Sequence, residues 1–83
     1  MKKTGQQDHK NLIGRRIRKA RLGASPPVSQ DALSGKLAAM GVTLDQTAIS
    51  RIESQSRYIM DYEIVAIAKC LKVSAASLFD ELT

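Results

Sequence analysis

The segment SQDALSGKLAAMGVTLDQTAISRIE, residues 29–53, carries two apolar series at helical spacing on either side of a turn at Gly41. Ser29 is a helix-capping residue, and Leu33, Leu37 and Met40 follow it at i, i+4, i+7 before Gly41 ends the run. The small residues Ser34, Gly35, Ala38 and Ala39 leave room for another backbone to come close. After a turn through Val42, Thr43 and Leu44, a further helix is predicted from about Asp45 to Ser54, with Ala48, Ile49 and Ile52 facing inward. Two caps compete for its start: Asp45 itself, or Thr43 with Gln46 three residues on, a capping-box spacing.

The same punctuation extends in both directions. Upstream, Asn11 can cap a helix whose apolar positions Ile13, Ile17 and Ala20 recur at i, i+4, i+7, with Arg15, Arg16, Arg18 and Lys19 on its other faces. That helix ends near Leu22 and Gly23, because Ser25-Pro26-Pro27-Val28 cannot continue it. Downstream, Ser54-Gln55-Ser56-Arg57 reads as a polar loop. Asp61 then caps a fourth helix carrying Ile64, Val65, Ile67, Ala68 and Leu71, and Ser74 a short fifth with Leu78, Phe79 and Leu82. Residues 1–10 are polar and without apolar period, which predicts a flexible basic arm ahead of a domain over 11–83. The expected fold is all-α: a compact five-helix bundle with Ile13, Ile17, Leu33, Leu37, Ile49, Ile52, Ile64, Ile67, Leu71, Leu78 and Phe79 in one core.

Composition narrows the function. The chain has 83 residues with one Cys and one His, so neither a disulfide framework nor a Cys- or His-rich metal site can be built, and no cofactor is implied. No apolar run approaches the ~20 residues that span a bilayer, and the polar first residues lack the apolar stretch of a secretory leader, so a cytoplasmic location is expected. No nucleophile and base, carboxylate pair or glycine-rich phosphate loop supports catalysis. The net charge of +5 is unevenly placed. Residues 1–27 carry eight Lys/Arg against Asp8, a net +7, whereas 28–83 carry five against seven acids, a net −2. Such asymmetry points to a polyanionic partner, nucleic acid or an anionic membrane, with a merely solubilising leader as the alternative.

Gln30-x-x-Leu33-x-x-x-Leu37, a glycine turn, Ile49-Ser50-Arg51-Ile52-Glu53 and a trailing helix ending Leu71-Lys72-Val73-Ser74 together resemble the Cro and phage-repressor (XRE-like) helix-turn-helix family, over about residues 12–82. Arg21 to Gln30 and Leu37 to Ile49 are both longer spacings than the family pattern; the second implies an extended helix 2 or a longer turn. The resemblance implies a lambda repressor-like fold and a sequence-specific double-stranded DNA-binding regulator, a prokaryotic or phage repressor associated with the nucleoid. Helix 3, about residues 45–54, would enter the major groove of a near-palindromic operator, with two copies in successive grooves. By resemblance, Gln46, Thr47, Ser50 and Arg51 meet base edges. Arg51 suits guanine O6 and N7, Gln46 adenine, and Thr47 the thymine methyl. Gln30 would clamp a phosphate, and the loop Ser54, Gln55, Ser56 and Arg57 would meet the next ones. Lys2, Lys3 and Lys10 would supply sequence-blind phosphate attraction, with Arg15, Arg16, Arg18 and Lys19 as weaker candidates. The family pattern pairs Glu53 with Arg21 in a structural ion pair, which removes Arg21 from the DNA contacts.

Other residues read as structural: Cys70 as a small buried or semi-buried thiol rather than a redox sensor, Met40 and Met60 as gap fillers, Tyr58 and Tyr62 as packing before helix 4. With the chain ending soon after helix 5, no separate ligand or dimerisation domain is expected, unless the chain is part of a longer regulator. Contact between copies would use the bundle itself, with Leu78, Phe79 and Leu82 the first expectation. Two rivals stand beside the regulator. One is an antitoxin that neutralises a protein toxin and regulates its own operon. The other is a membrane-surface protein, disfavoured because the apolar residues of helix 1 are committed to the core.

Overall fold

The computed structural model describes residues 9–80. Four α-helices run in order, α1 (Gly14–Leu22), α2 (Gln30–Ala39), α3 (Gln46–Glu53) and α4 (Asp61–Leu71), followed by a 3-10 helix over Ala76–Phe79. The described residues contain no strand, so the chain is all-α. The expected fifth α-helix is replaced by the 3-10 helix, although Ser74 still accepts the Ser77 amide through its Oγ at 3.1 Å. Leu82 lies outside the described residues.

Two of the four starts follow the expected caps. Ser29 Oγ accepts from the Ala32 amide at 3.0 Å, and Asp45 Oδ1 from the Ala48 amide at 2.8 Å, which decides for Asp45 over Thr43. The other two starts correct the sequence reading. Asn11 stands two residues outside the α1 cap position Ile13, yet its Oδ1 accepts from the amides of Ile13 (3.1 Å) and Gly14 (2.7 Å). For α4, Asp61 is already helical, and the free amide of the cap residue Met60 donates to Glu63 Oε1 at 2.9 Å. A carboxylate three residues in thus performs the task assigned to Asp61.

The ends of α2, α3 and α4 share one device, an amide donating back five residues across a residue with positive φ. Val42 N donates to Leu37 O around Gly41 (φ +84°), Ser56 N to Arg51 O around Gln55 (φ +65°), and Val73 N to Ala68 O around Lys72 (φ +59°). Glycine reaches this conformation without steric cost, whereas Gln55 and Lys72 adopt it against the preference of an L side chain. The long Leu37–Ile49 spacing is taken up by the connection over residues 40–45, whose Leu44 is buried although the sequence reading placed it in a turn.

Helix α1 packs on α3, α4 and the 3-10 helix, and α2 packs on α3 and α4. Ile13, Ile17, Leu33, Leu37, Ile49, Ile52, Ile67, Leu71 and Leu78 form the buried core as expected, joined by Leu44, Ala66 and Ala68. Ile64 is half-buried against the core, and Phe79 is exposed and leaves it. The buried residues of α4 are instead Glu63, Ala66, Ile67, Ala68 and Leu71, with Glu63 turned inward to cap the helix. Tyr58, Tyr62, Met40 and Met60 are also exposed rather than packed. Helix α1 approaches α3 so closely that a Cβ at Gly14 would run into the Ile52 carbonyl. Only glycine fits there.

Candidate nucleic-acid interface

Helix α3 divides cleanly between two faces. Ile49, Ile52 and Glu53 are buried and Ala48 is half-buried, whereas Gln46, Thr47, Ser50 and Arg51 are all exposed. The exposed four fall at i, i+1, i+4, i+5, one stripe of a helix. Among the described residues none of the four side chains makes a hydrogen bond or ion pair within the chain. The stripe therefore presents hydroxyl, amide and guanidinium groups with their hydrogen-bonding capacity open.

The last residue of the helix is one of the anchors that hold that stripe in place. Glu53 accepts from Arg21 Nε through Oε2 (2.7 Å) and from Arg21 Nη2 through Oε1 (2.8 Å), a bidentate pair in which both side chains are buried. Arg21 Nη1 donates further to the Val28 carbonyl at 2.9 Å, which also ties the Pro-Pro loop to α1. The hydrogen bond that Arg21 donates to Glu53 raises the Arg21 pKa; burial opposes this, and the nearby carboxylate charge adds to it. The ion pair expected from the family pattern is present.

Gln30 has a partner inside the fold beside the phosphate role expected of it. Its Nε2 donates to Glu53 Oε1 at 3.1 Å, so one amide hydrogen serves the ion pair while the half-exposed amide keeps a second. The loop after α3 splits similarly. Ser54 and Ser56 stay exposed, 2.9 Å apart at their hydroxyls, and both reach the Arg51 carbonyl. Gln55 is buried, and its Nε2 donates to the Asn11 carbonyl at 3.2 Å, which withdraws it from the phosphate-contact set. Arg57 is half-exposed, and its guanidinium donates to Glu63 (3.1 Å) and to the Tyr58 carbonyl (2.8 Å). Its charge balances a buried carboxylate first.

Asn11 is the residue whose importance the sequence reading missed. Besides the two amides it accepts, its Nδ2 donates to the carbonyls of Ile52 (3.0 Å) and Arg57 (2.8 Å), joining the start of α1 to the end of α3. One residue earlier, the Lys10 amide donates to the Gln55 carbonyl at 2.9 Å, and the Lys10 ammonium sits 5.0 Å over the Tyr58 ring. A lone polar residue ahead of a helix reads as a simple cap; its long-range partners, forty-one and forty-six positions away, leave no local signal.

On α1, Arg15, Arg18 and Lys19 are exposed and, with Leu22 and Gly23, line a shallow groove that reaches Glu53; Arg16 is half-buried. Lys2 and Lys3 lie outside the described residues. Among the described residues no group of His, Cys, Asp and Glu is placed to hold a metal ion, and no helix is long and apolar enough to cross a membrane. No family model, curated protein or solved structure matches the chain.

Proposed function

We propose that the chain is a sequence-specific double-stranded DNA-binding transcriptional regulator, acting as a repressor by occupying a near-palindromic operator. In this reading α2 and α3 are the two helices of a helix-turn-helix and α3 enters the major groove. The observation that carries it is the outward stripe of Gln46, Thr47, Ser50 and Arg51, four exposed groups with open hydrogen-bonding capacity on a helix whose opposite face is anchored. Base edges in the major groove differ in their donors and acceptors, and such side chains read them.

The surroundings supply the sequence-independent part of affinity. Ser54, Ser56 and the second amide hydrogen of Gln30 can donate to phosphate oxygens beside the stripe. Arg15, Arg18 and Lys19 on α1, with Lys10 and the arm ahead of it, carry the positive charge that releases counterions. The Lys10 amide donates to the Gln55 carbonyl just past the end of α3, which sets Lys10 at the rim of the proposed interface.

Selection of bound duplexes from a random pool, followed by titration over salt, tests the reading. Arg51→Ala on the selected site should remove ~1–3 kcal/mol of discrimination at one base pair. Replacing Lys2 and Lys3 should weaken all sequences alike and flatten the salt slope. If no duplex is enriched, or if Arg51→Ala changes neither affinity nor base preference, the assignment of α3 is wrong. An antitoxin role, in which the chain neutralises a protein toxin and regulates its own operon, would show instead as stoichiometric capture of a toxin.

A further inference from the structure

The described surface carries an apolar patch on α4. Tyr62 and Val65 on α4 are 61% and 47% exposed, and Met40, just past α2, is 45% exposed beside them. Together with Ala66 they line a shallow groove bounded by Asp61 and Lys69. Large apolar side chains gathered in this way lose free energy to water until something covers them. Scattered, they would need no explanation.

The arrangement of charge says what covers them. Asp61, Val65 and Lys69 stand at i, i+4, i+8 on α4, so Val65 lies midway between an anion and a cation, each ~6 Å along the helix axis from it. A two-fold axis through Val65 that sets α4 antiparallel to a second α4 brings Asp61 opposite the Lys69 of the other copy, and the reverse. The patch is self-complementary under that operation, as an interface between identical copies must be. A parallel pairing would set like charges against each other. Among the described residues Lys69 makes no ion pair, and Asp61 accepts only the adjacent Tyr62 amide.

We propose that the chain forms a two-fold dimer through antiparallel α4 helices, with Val65 on the axis, Tyr62 and Met40 flanking it, and two Asp61–Lys69 pairs at its rim. Of the residues first expected to meet another copy, Leu78 is 1% exposed and belongs to the core, Phe79 is exposed, and Leu82 lies outside the described residues. This dimer stands or falls without reference to DNA.

Sedimentation equilibrium on the full 83-residue chain without DNA tests it. The wild type should dimerise. Asp61→Lys and Lys69→Asp, each with unchanged circular dichroism, should each weaken the dimer about tenfold or more, since two rim attractions become two repulsions. An equimolar mixture of the two variants should recover wild-type affinity, because every facing pair is then opposite in charge. Val65→Glu should abolish association and serves as the control where a charge variant fails to fold. A wild type that stays monomeric to millimolar concentration overturns the proposal. So does a dimer that Val65→Glu leaves intact, or a mixture no tighter than its components.

Discussion

Removing one side of the Arg21–Glu53 pair should cost far more stability than removing both. Glu53→Leu leaves a guanidinium whose side chain is 7% exposed with only the Val28 carbonyl as partner, and Arg21→Met leaves a carboxylate that is 3% exposed with only the Gln30 amide. An uncompensated buried charge of this kind costs ~3–5 kcal/mol. A domain of this length has roughly 4–12 kcal/mol in total, so either single variant approaches the unfolding threshold. Its melting temperature should fall by about 15–30 °C. The double variant Arg21→Met/Glu53→Leu buries no charge and loses mainly the bonds to Val28 and Gln30, a deficit of about 1–2 kcal/mol. It should therefore be more stable than either parent.

Urea unfolding followed by circular dichroism at 222 nm gives all four corners of the cycle. Neutral pH is the right place to measure it. Arg21 is raised from an already high value, so its contribution is complete below the unfolded-state pKa and lost only as pH climbs through the higher folded-state one. A double variant whose loss equals the sum of the singles would refute the reasoning, as would a single variant within about 1 kcal/mol of wild type. In either case the pair would not be acting as a buried unit.

Two further outcomes follow from the same structure. Asn11→Asp keeps the acceptor for the Ile13 and Gly14 amides but turns the donor toward Ile52 and Arg57 into an oxygen facing two carbonyls; urea unfolding at pH 7 should register a loss of about 2–3 kcal/mol, despite the near-identical shape. Burial raises the Cys70 pKa, only partly offset by Lys36, so the folded chain holds the thiol proton more tightly than the unfolded one. The Cys70 contribution to stability should therefore fall as pH rises above the unfolded value of about 8.5, and the stability gap between wild type and Cys70→Ala should change with pH there and stay flat below pH 7.

The outward face of α3 was legible because period alone separates Gln46, Thr47, Ser50 and Arg51 from Ile49 and Ile52. The Arg21–Glu53 pair was legible only through the family pattern; charge and spacing offered many other partners. What escaped the sequence reading depended on contacts between distant positions. Gln55 lies between two exposed serines and looks like one more loop residue, but the start of α1 buries it. The apolar run Ile64, Val65, Ala66, Ile67 fits more than one helical stripe, and Glu63 decides the rotation by turning inward to Met60 and Arg57. Leu78 and Phe79 are neighbours of equal apolar character, and which of them points inward is set by a 3-10 turn rather than by an α-helical period.

Helix α3 spans eight residues, too few to hold its shape alone, so its orientation is a property of its anchors. At its start, Asp45 caps the first turn, Leu44 is buried, and Ser34 on α2 donates to the Leu44 carbonyl at 2.7 Å. At its end, Asn11 holds the Ile52 carbonyl and Arg21 holds Glu53, both from the α1 side of the molecule. None of these anchors is one of the four outward side chains. Exposed substitutions away from caps and networks usually change stability by no more than about 0.5 kcal/mol. The proposed reading surface can thus vary almost independently of the fold, whereas a change at Asn11, Arg21 or Glu53 would re-aim or unfold all four reading residues together.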